Sequence, residues 1–283
     1  MFAKEIIPHL ENYFKTLDNK KVRTIVEYSV RGGKCIRGFI TKHIIQSLSD
    51  STYSCPWEPI VAIELIHAAS LIVDDLPCMD NDKRRRGKPS TFMQFGKHEA
   101  ILFSFYIISE SMKLLSSALK TQPEKLHFII EEWCELLGKN LVLGQLMDLK
   151  CDVSEFFNIN KNNDNNENII KYKTCSLFSF AFVLGALFID KELDMNEFKK
   201  MGKSFGMMFQ LVDDYKDVTE DDEYRNYILK HGNQKSLQKY MQERAQLITL
   251  LTKNELLTPQ FRKMIAALDA KFLPQKNTNA VLY

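Results

Sequence analysis

IELIHAASLIVDD, residues 63–75, is a nearly unbroken apolar run that ends abruptly on a pair of aspartates. Its apolar residues recur at i, i+3, i+4 and i+7, the spacing of a helix rather than a strand. Pro77 forces the chain to turn just beyond. Carboxylates at a helix C-terminus sit at the unfavourable end of the dipole and need a compensating cation. The construction recurs at MFQLVDDYKD, residues 208–217, where a second apolar run meets Asp213 and Asp214, with Asp217 following. Segments 3–18, 34–49, 98–119, 124–150, 167–189 and 194–215 show the same helical periodicity. Ile101–Ile108 and Phe178–Ile189 are apolar nearly all round, which predicts helices buried in a large bundle. Glycine-containing hairpin turns between alternating strands are missing, so the expected fold class is all-α.

A chain of 283 residues can bury a sizeable core, and no composition break or internal repeat divides it. One domain over residues 1–283 is therefore expected. The net charge of +2 predicts no nucleic-acid surface and no dedicated acidic partner. The six cysteines lack CxxC spacing, which predicts free thiols in a reducing compartment. The first residues do not read as a signal peptide, and no apolar stretch of about 18 residues predicts a membrane span. The expected location is the cytoplasm. Residues 158–168, NINKNNDNNEN, predict a solvated loop, and the tail 275–283 is expected to be poorly ordered.

The chemistry lies around the aspartates. Asp74, Asp75, Asp80 and Asp82 are followed by Lys83-Arg84-Arg85-Arg86. Acids alone suggest a hard cation with oxygen ligands, and arginines alone suggest phosphate. Together they point to a metal-bridged phosphorylated substrate, although an acidic-basic turn that pairs with itself has the same composition. Asp213 and Asp217 are spaced i, i+4 and share one helix face. Their mutual repulsion is a few tenths of a kcal/mol, which a divalent cation would more than offset. Two such helices can face each other across a pocket. Magnesium suits them, because it takes one or two carboxylates together with substrate phosphates.

Several motifs in order make the chain resemble the trans-isoprenyl diphosphate synthases, the polyprenyl synthetase family. They are Arg31-Gly-Gly-Lys-Cys-Ile-Arg37, Glu64-Leu-Ile-His67, Asp74 through Gly87-Lys-Pro89, Gly144-Gln-Leu-Met-Asp148, Tyr172-Lys-Thr174 and Phe209-Gln-Leu-Val-Asp-Asp214. The resemblance covers about residues 20–230. It implies a single helical bundle around a central cavity, a homodimer, and head-to-tail condensation of isopentenyl diphosphate with an allylic diphosphate (dimethylallyl, geranyl or farnesyl). It further implies that Lys34, Arg37, His67 and Arg86 hold the isopentenyl diphosphate. Arg85, Lys173, Thr174, Gln210, Gln145 and Asp148 would serve the allylic side. Asp74, Asp80, Asp213 and Asp217 would ligate three Mg²⁺ ions. Asp75, Asp214 and Lys173 would complete the catalytic set.

On the helix entering Asp74, Ala69 and Ser70 lie about one turn deeper. Both are small, where farnesyl-terminating members often carry an aromatic floor, so geranylgeranyl diphosphate is the expected product and farnesyl diphosphate the next. The chain departs from the family at Val73, at Ser104-Phe105, and after Asp217, where the longer Gly-Lys loop is missing and Lys230 or Lys235 would have to substitute. A terpene cyclase would not need the second diphosphate site at Lys34, Arg37 and His67. A non-catalytic regulatory subunit usually loses one aspartate cluster, and this chain keeps both.

Overall fold

The computed structural model describes residues 2–50, 54–153, 165–219 and 222–273. Its elements are α1 (Ala3–Lys15), α2 (Lys20–Val30), α3 (Ile36–Leu48), α4 (Glu58–Asp74), α5 (Thr91–Phe95) and α6 (Lys97–Ala118), with strands β1 (Arg84–Arg85) and β2 (Lys88–Pro89) between α4 and α5. There follow α7 (Pro123–Trp133), a π-helical stretch π1 (Cys134–Leu141), α8 (Val142–Asp148), α9 (Asn165–Ile169), a second π stretch π2 (Ile170–Thr174) and α10 (Cys175–Leu187). The last are α11 (Met195–Lys216), α12 (Tyr227–Lys253) and α13 (Pro259–Phe272). The all-α expectation holds.

The chain forms two compact units, Met1–Glu131 with Leu184–Asp190, and Glu132–Val183 with Lys191–Tyr283. In the first, α4 is the central helix and packs chiefly against α6 and α3. From Pro59 to Ile66 every α4 residue is buried, which is what an apolar run without a polar face requires. Beyond Ile66, His67, Ser70, Leu71, Val73 and Asp74 are half-exposed. His67, Ser70, Leu71 and Asp74 are spaced three, four and seven apart, so one stripe of the helix leads to the aspartates.

In the second unit α11 packs on α12, on π2 and on α13. Its core is aromatic, with Phe178 ring centroids 5.1 Å from Phe205 and 5.2 Å from Phe209, and Phe182 5.8 Å from Phe261. Close approach of α10 and α11 depends on Gly202, where a Cβ would lie 2.4 Å from the Ser179 Cα.

Several expectations are corrected. A glycine hairpin does exist: β1 and β2 pair antiparallel, Arg84 with Pro89 and Arg85 with Lys88. Its two loop residues, Arg86 (φ 56) and Gly87 (φ 79), both take the left-handed conformation of a type I′ turn. The strands are too short to show alternation. α6 is not buried all round, since Leu102 is 65% and Phe105 64% exposed.

In the asparagine-rich segment, residues 158–164 lie outside the described residues. Residues 165–168 are helical rather than loop, and Asn166 is buried with its amide donating to the Glu223 carbonyl at 3.3 Å. The tail 275–283 also lies outside the described residues. After Asp217, where the longer Gly-Lys loop was read as missing, Asn226 caps α12, which is kinked at Gly232 (φ 76), and Lys230 and Lys235 lie on that helix. One stretch, Asn166–Leu187, is long and apolar enough to cross a membrane, contrary to expectation. Of its apolar window 78% is buried within the fold, the pattern of a core helix. All six cysteines are free thiols.

Candidate active site

The first unit gathers one set of polar residues around the end of α4. Asp74 is the last residue of the helix and Asp75 its C-cap. The chain after Pro77 folds back, so that the Asp80 N–H donates to the Asp74 carbonyl at 2.9 Å. Proline does not separate Asp74 from Asp80; it returns the second to the first. Asp74 and Asp80 are half-buried, whereas Asp75 is 2% exposed.

Asp75 has a specific partner. Its Oδ1 accepts from Arg85 Nε at 2.8 Å and Nη2 at 2.5 Å, and the same Nη2 reaches Asp82 Oδ2 at 2.9 Å. Burial pushes the Asp75 carboxyl up despite the adjacent guanidinium. Asp75 therefore fixes the hairpin arginine instead of presenting a carboxylate outward.

The hairpin is clamped onto α2. Arg86 Nη1 donates to the carbonyls of Val30 at 2.6 Å and of Ser29 and Arg31 at 3.3 Å, which caps the C-terminus of α2. A non-glycine residue at positive φ costs about 1–2 kcal/mol, and these charge-assisted bonds offset it. Lys88 Nζ lies 3.9 Å from the Tyr28 ring centroid, and the Tyr28 hydroxyl donates to the Pro89 carbonyl at 2.7 Å. A Cβ on Gly33 would meet Arg86 Nη2 at 3.0 Å, so this guanidinium lies over the glycine loop that presents exposed Lys34.

Glu64, which the sequence reading quoted without a role, organises the other side. It is 4% exposed, and its Oε1 accepts from the Gly38 N–H at 2.7 Å. The first turn of α3 has no side-chain cap of its own, because Cys35 sits there at φ 51 with its thiol turned back to the Gly33 carbonyl at 3.6 Å. A carboxylate from α4 supplies the missing acceptor at the positive end of the α3 dipole. Arg37, one residue earlier on α3, is buried.

His67 completes this set. Its pKa is held well below 6.5, first by burial and then by the charges of Arg37, Arg86 and Arg85. Its Nδ1 is buried and without a hydrogen bond. The imidazole is thus neutral among guanidiniums, ready to bond an anion that those guanidiniums attract.

This depressed pKa has a sign. The unfolded chain takes up a proton at His67 as pH falls through about 6.5, while the folded chain does not until well below it. Stability is therefore lost as pH falls below about 6.5. His67→Gln is expected to flatten the drop in Tm between about pH 6.5 and pH 5, and parallel curves for variant and wild type would contradict it.

The second unit gathers the remaining candidates. Asp213 is half-buried on α11, and Asp217 is its exposed C-cap, with an N–H that donates to the Asp213 carbonyl at 3.1 Å. The helix runs two residues past the double aspartate, to Lys216. The Lys216 ammonium lies 2.7 Å from Asp213 Oδ1, so this position already draws a cation.

Asp214 is 2% exposed, and its two oxygens accept from Gln210 Nε2 at 2.8 Å and the Tyr227 N–H at 2.9 Å. Asn226 donates to the Asp214 carbonyl at 2.7 Å and caps α12. Asp214 thus fastens the start of α12 to α11. Gln210 Oε1 accepts from the Thr174 hydroxyl at 2.7 Å, which links π2 into the same chain of bonds.

Lys173 on π2 pairs with Asp148 Oδ2 at 2.7 Å, and Arg225 Nε approaches Asp148 Oδ1 at 3.3 Å. Asp148 is 6% exposed, so it holds Lys173 in place from within the fold. Gln145 lies half-buried nearly one turn before it on α8. π-helical turns recur at functional sites, and here one carries both Lys173 and Thr174. Gly144 sets their position: a Cβ there would lie 2.3 Å from the Lys173 nitrogen. The sequence signal was a glycine inside a helical run, which has no meaning until its neighbour is known.

Both aspartate pairs follow one rule. The second aspartate is buried and structural, the first is half-buried. Asp74 and Asp80 in the first unit and Asp213 and Asp217 in the second offer hard carboxylate oxygens, and among the described residues no group of three or more metal-ligating side chains comes together. Ala69 is fully buried, whereas Ser70 lies on the half-exposed stripe with His67 and Asp74.

The polyprenyl synthetase family profile matches residues 19–231. Geranylgeranyl pyrophosphate synthase 12, chloroplastic, of Arabidopsis thaliana is 34% identical over 212 residues, which are 73% of this chain and 58% of that protein. Geranylfarnesyl diphosphate synthase, chloroplastic, of Leucosceptrum canum is 36% identical over 57% of this chain and 45% of its own length. The chain thus spans about half the length of these curated relatives. Among solved structures, an isoprenoid synthase family member from Thermotoga neapolitana superposes with a TM-score of 0.75 at 29% identity, over 95% of this chain and 98% of that one. A geranyltranstransferase from Thermotoga maritima gives 0.74 at 26% identity, over 95% and 96%.

Proposed function

Because the chain belongs to the polyprenyl synthetase family, we propose that it is a magnesium-dependent head-to-tail prenyl transferase whose main product is geranylgeranyl diphosphate. The observation that carries this is the duplicated aspartate pair, in which one member is buried for structure and the other is left half-buried as a metal donor. The relatives' names describe synthases of the same class of product.

Asp74, Asp80 and Asp213 are the proposed magnesium ligands, with Asp217 reached through water. Three bound ions would neutralise charge on the departing allylic diphosphate. Arg85, Lys173, Thr174 and Gln210 orient that diphosphate, and they are pre-set by Asp75, Asp148 and Asp214. Lys34, Arg37, Arg86 and neutral His67 hold isopentenyl diphosphate. As the allylic C–O bond breaks, the isopentenyl double bond supplies the electron pair of the new C–C bond. The departing diphosphate then takes the proton lost. Apolar α4 side chains keep water from the cation. No side-chain nucleophile takes part.

The test is incubation of purified protein with isopentenyl diphosphate, Mg²⁺ and each allylic primer, followed by product-length analysis. Folded protein that is inactive with every primer would instead be a non-catalytic partner subunit.

Small residues at 69 and 70 support the longer product. An aromatic residue at either position is expected to shift product from geranylgeranyl toward farnesyl diphosphate. Ser70→Tyr is the milder change, because Ala69→Tyr also overpacks a fully buried site by about 1–3 kcal/mol. Unchanged chain length in both variants would place the pocket floor elsewhere.

The exposed Leu102 and Phe105 of α6 suit a homodimer surface. Phe105→Asp is expected to convert a dimer to monomers in sedimentation equilibrium at micromolar concentration. A variant still dimeric, or a wild type that is monomeric, would refute that surface.

A further inference from the structure

Asp148 is shared by two cations, and only one of them belongs to the proposed catalytic set. Lys173 Nζ lies 2.7 Å from its Oδ2, and Arg225 Nε lies 3.3 Å from its Oδ1. We propose that Arg225 is a positioning residue for the allylic diphosphate subsite, which acts through Asp148 on Lys173. This role rests on the transferase reading.

Arg225 is fixed in place by its own segment. It lies after Asp217, in the stretch where the longer Gly-Lys loop was read as missing. Asp222 Oδ1 accepts from the N–H groups of Tyr224 at 3.0 Å and Arg225 at 3.1 Å, an Asx turn. The Tyr224 hydroxyl donates to the Met147 carbonyl at 2.7 Å, and the buried Asn166 amide donates to the Glu223 carbonyl. Asn226 donates to the Asp214 carbonyl, so residues 222–226 are tied to α8, α9 and α11.

The guanidinium then holds Asp148 at two points. Besides Oδ1, Arg225 Nη2 reaches the Asp148 carbonyl at 3.4 Å, at the end of α8 where its dipole favours a cation. A planar fork suits two acceptors in fixed directions, whereas an ammonium is a single point charge. With Oδ1 engaged, the carboxylate cannot rotate, and Oδ2 alone faces Lys173.

Charge gives this geometry its consequence. Asp148 is buried, and Lys173 and Arg225 are half-buried, so the carboxylate lies behind and the cations lie nearer the surface. A lone Asp148–Lys173 pair would be neutral and closed, with both oxygens open to the ammonium. A second cation on the far oxygen leaves one positive charge that Asp148 does not neutralise, and it weakens the inward pull on Lys173. The ammonium then remains available to a diphosphate.

Arg225→Gln is compared with Arg225→Lys and with Lys150→Gln. The last removes an equal charge from the ion pair with Asp222 in the same segment and leaves Asp148 alone. Arg225→Gln leaves no buried charge unpaired, because Asp148 keeps Lys173. It is expected to raise KM for the allylic substrate about tenfold while KM for isopentenyl diphosphate stays within about twofold. Arg225→Lys should restore part of the loss, and Lys150→Gln should match wild type. Unchanged allylic KM, an equal rise in Lys150→Gln, or a fall in kcat alone would overturn the proposal. Should wild type transfer no prenyl group, isothermal titration with farnesyl thiolodiphosphate and Mg²⁺ separates the two readings. Weaker binding by Arg225→Gln than by Lys150→Gln upholds the positioning role without transfer, and equal or absent binding in all four proteins overturns it.

Discussion

Asp74→Ala is expected to lower kcat/KM for prenyl transfer by about a thousandfold or more, without loss of stability. A metal ligand's share of charge stabilisation at a departing diphosphate is several kcal/mol, and each 1.4 kcal/mol or so is tenfold in rate. The stability half has an independent reason. Asp74 closes α4 at the negative end of its dipole, where a carboxylate is unfavourable by roughly 0.3–1 kcal/mol. Removing it leaves Tm unchanged or slightly raised. The Mg²⁺ dependence of the residual rate should also shift to higher concentration. A loss smaller than tenfold would remove Asp74 from the ligand set. A falling Tm would mean instead that the end of α4 had come apart.

Gly144→Ala is expected to cost about 3 kcal/mol or more of unfolding free energy, read from denaturant midpoints. The added Cβ would lie 2.3 Å from the Lys173 nitrogen and 2.7 Å from its Cα, both backbone atoms that cannot swing aside. If the fold survives, π2 must move away from α8, and Lys173 and Thr174 move with it. KM for the allylic substrate should then rise with the loss of stability. Gly138→Ala is the matched control, because its Cβ meets only the Trp133 carbonyl at 3.9 Å. It should be neutral or stabilising by up to about 1 kcal/mol, as alanine favours helix. Equal effects at the two glycines would refute the contact.

The helices around the aspartates were legible because their apolar residues repeat at helical spacing and carry no long polar interruption. α12 and α13 were not foreseen. Their periodicity is diluted by exposed Lys, Gln and Glu residues over Tyr227–Lys253 and Pro259–Phe272, and burial falls on scattered positions such as Tyr240 and Phe261. The hairpin at Arg84–Pro89 was missed because strands of two residues cannot display alternation. α6 was expected to be buried all round because hydropathy records composition, whereas exposure of Leu102 and Phe105 depends on what packs against them.

The two aspartate pairs show where the division falls. Residue chemistry and local spacing alone determined that each pair ends an apolar run and that arginines follow the first, and they are the ground on which a metal and phosphates are proposed there. Those statements need only the chain's own neighbourhood. Tertiary structure decided which aspartate does what. Asp75 is buried against Arg85 across ten residues, and Asp214 against Tyr227 across thirteen, so the second member of each pair is structural. Glu64 reaches Gly38 across twenty-six residues, and Gly144 meets Lys173 from another helix. Adjacent aspartates look equivalent in a sequence. They differ once folded because neighbouring positions on a helix point about 100° apart, one toward the core and its partners, the other toward a half-buried position.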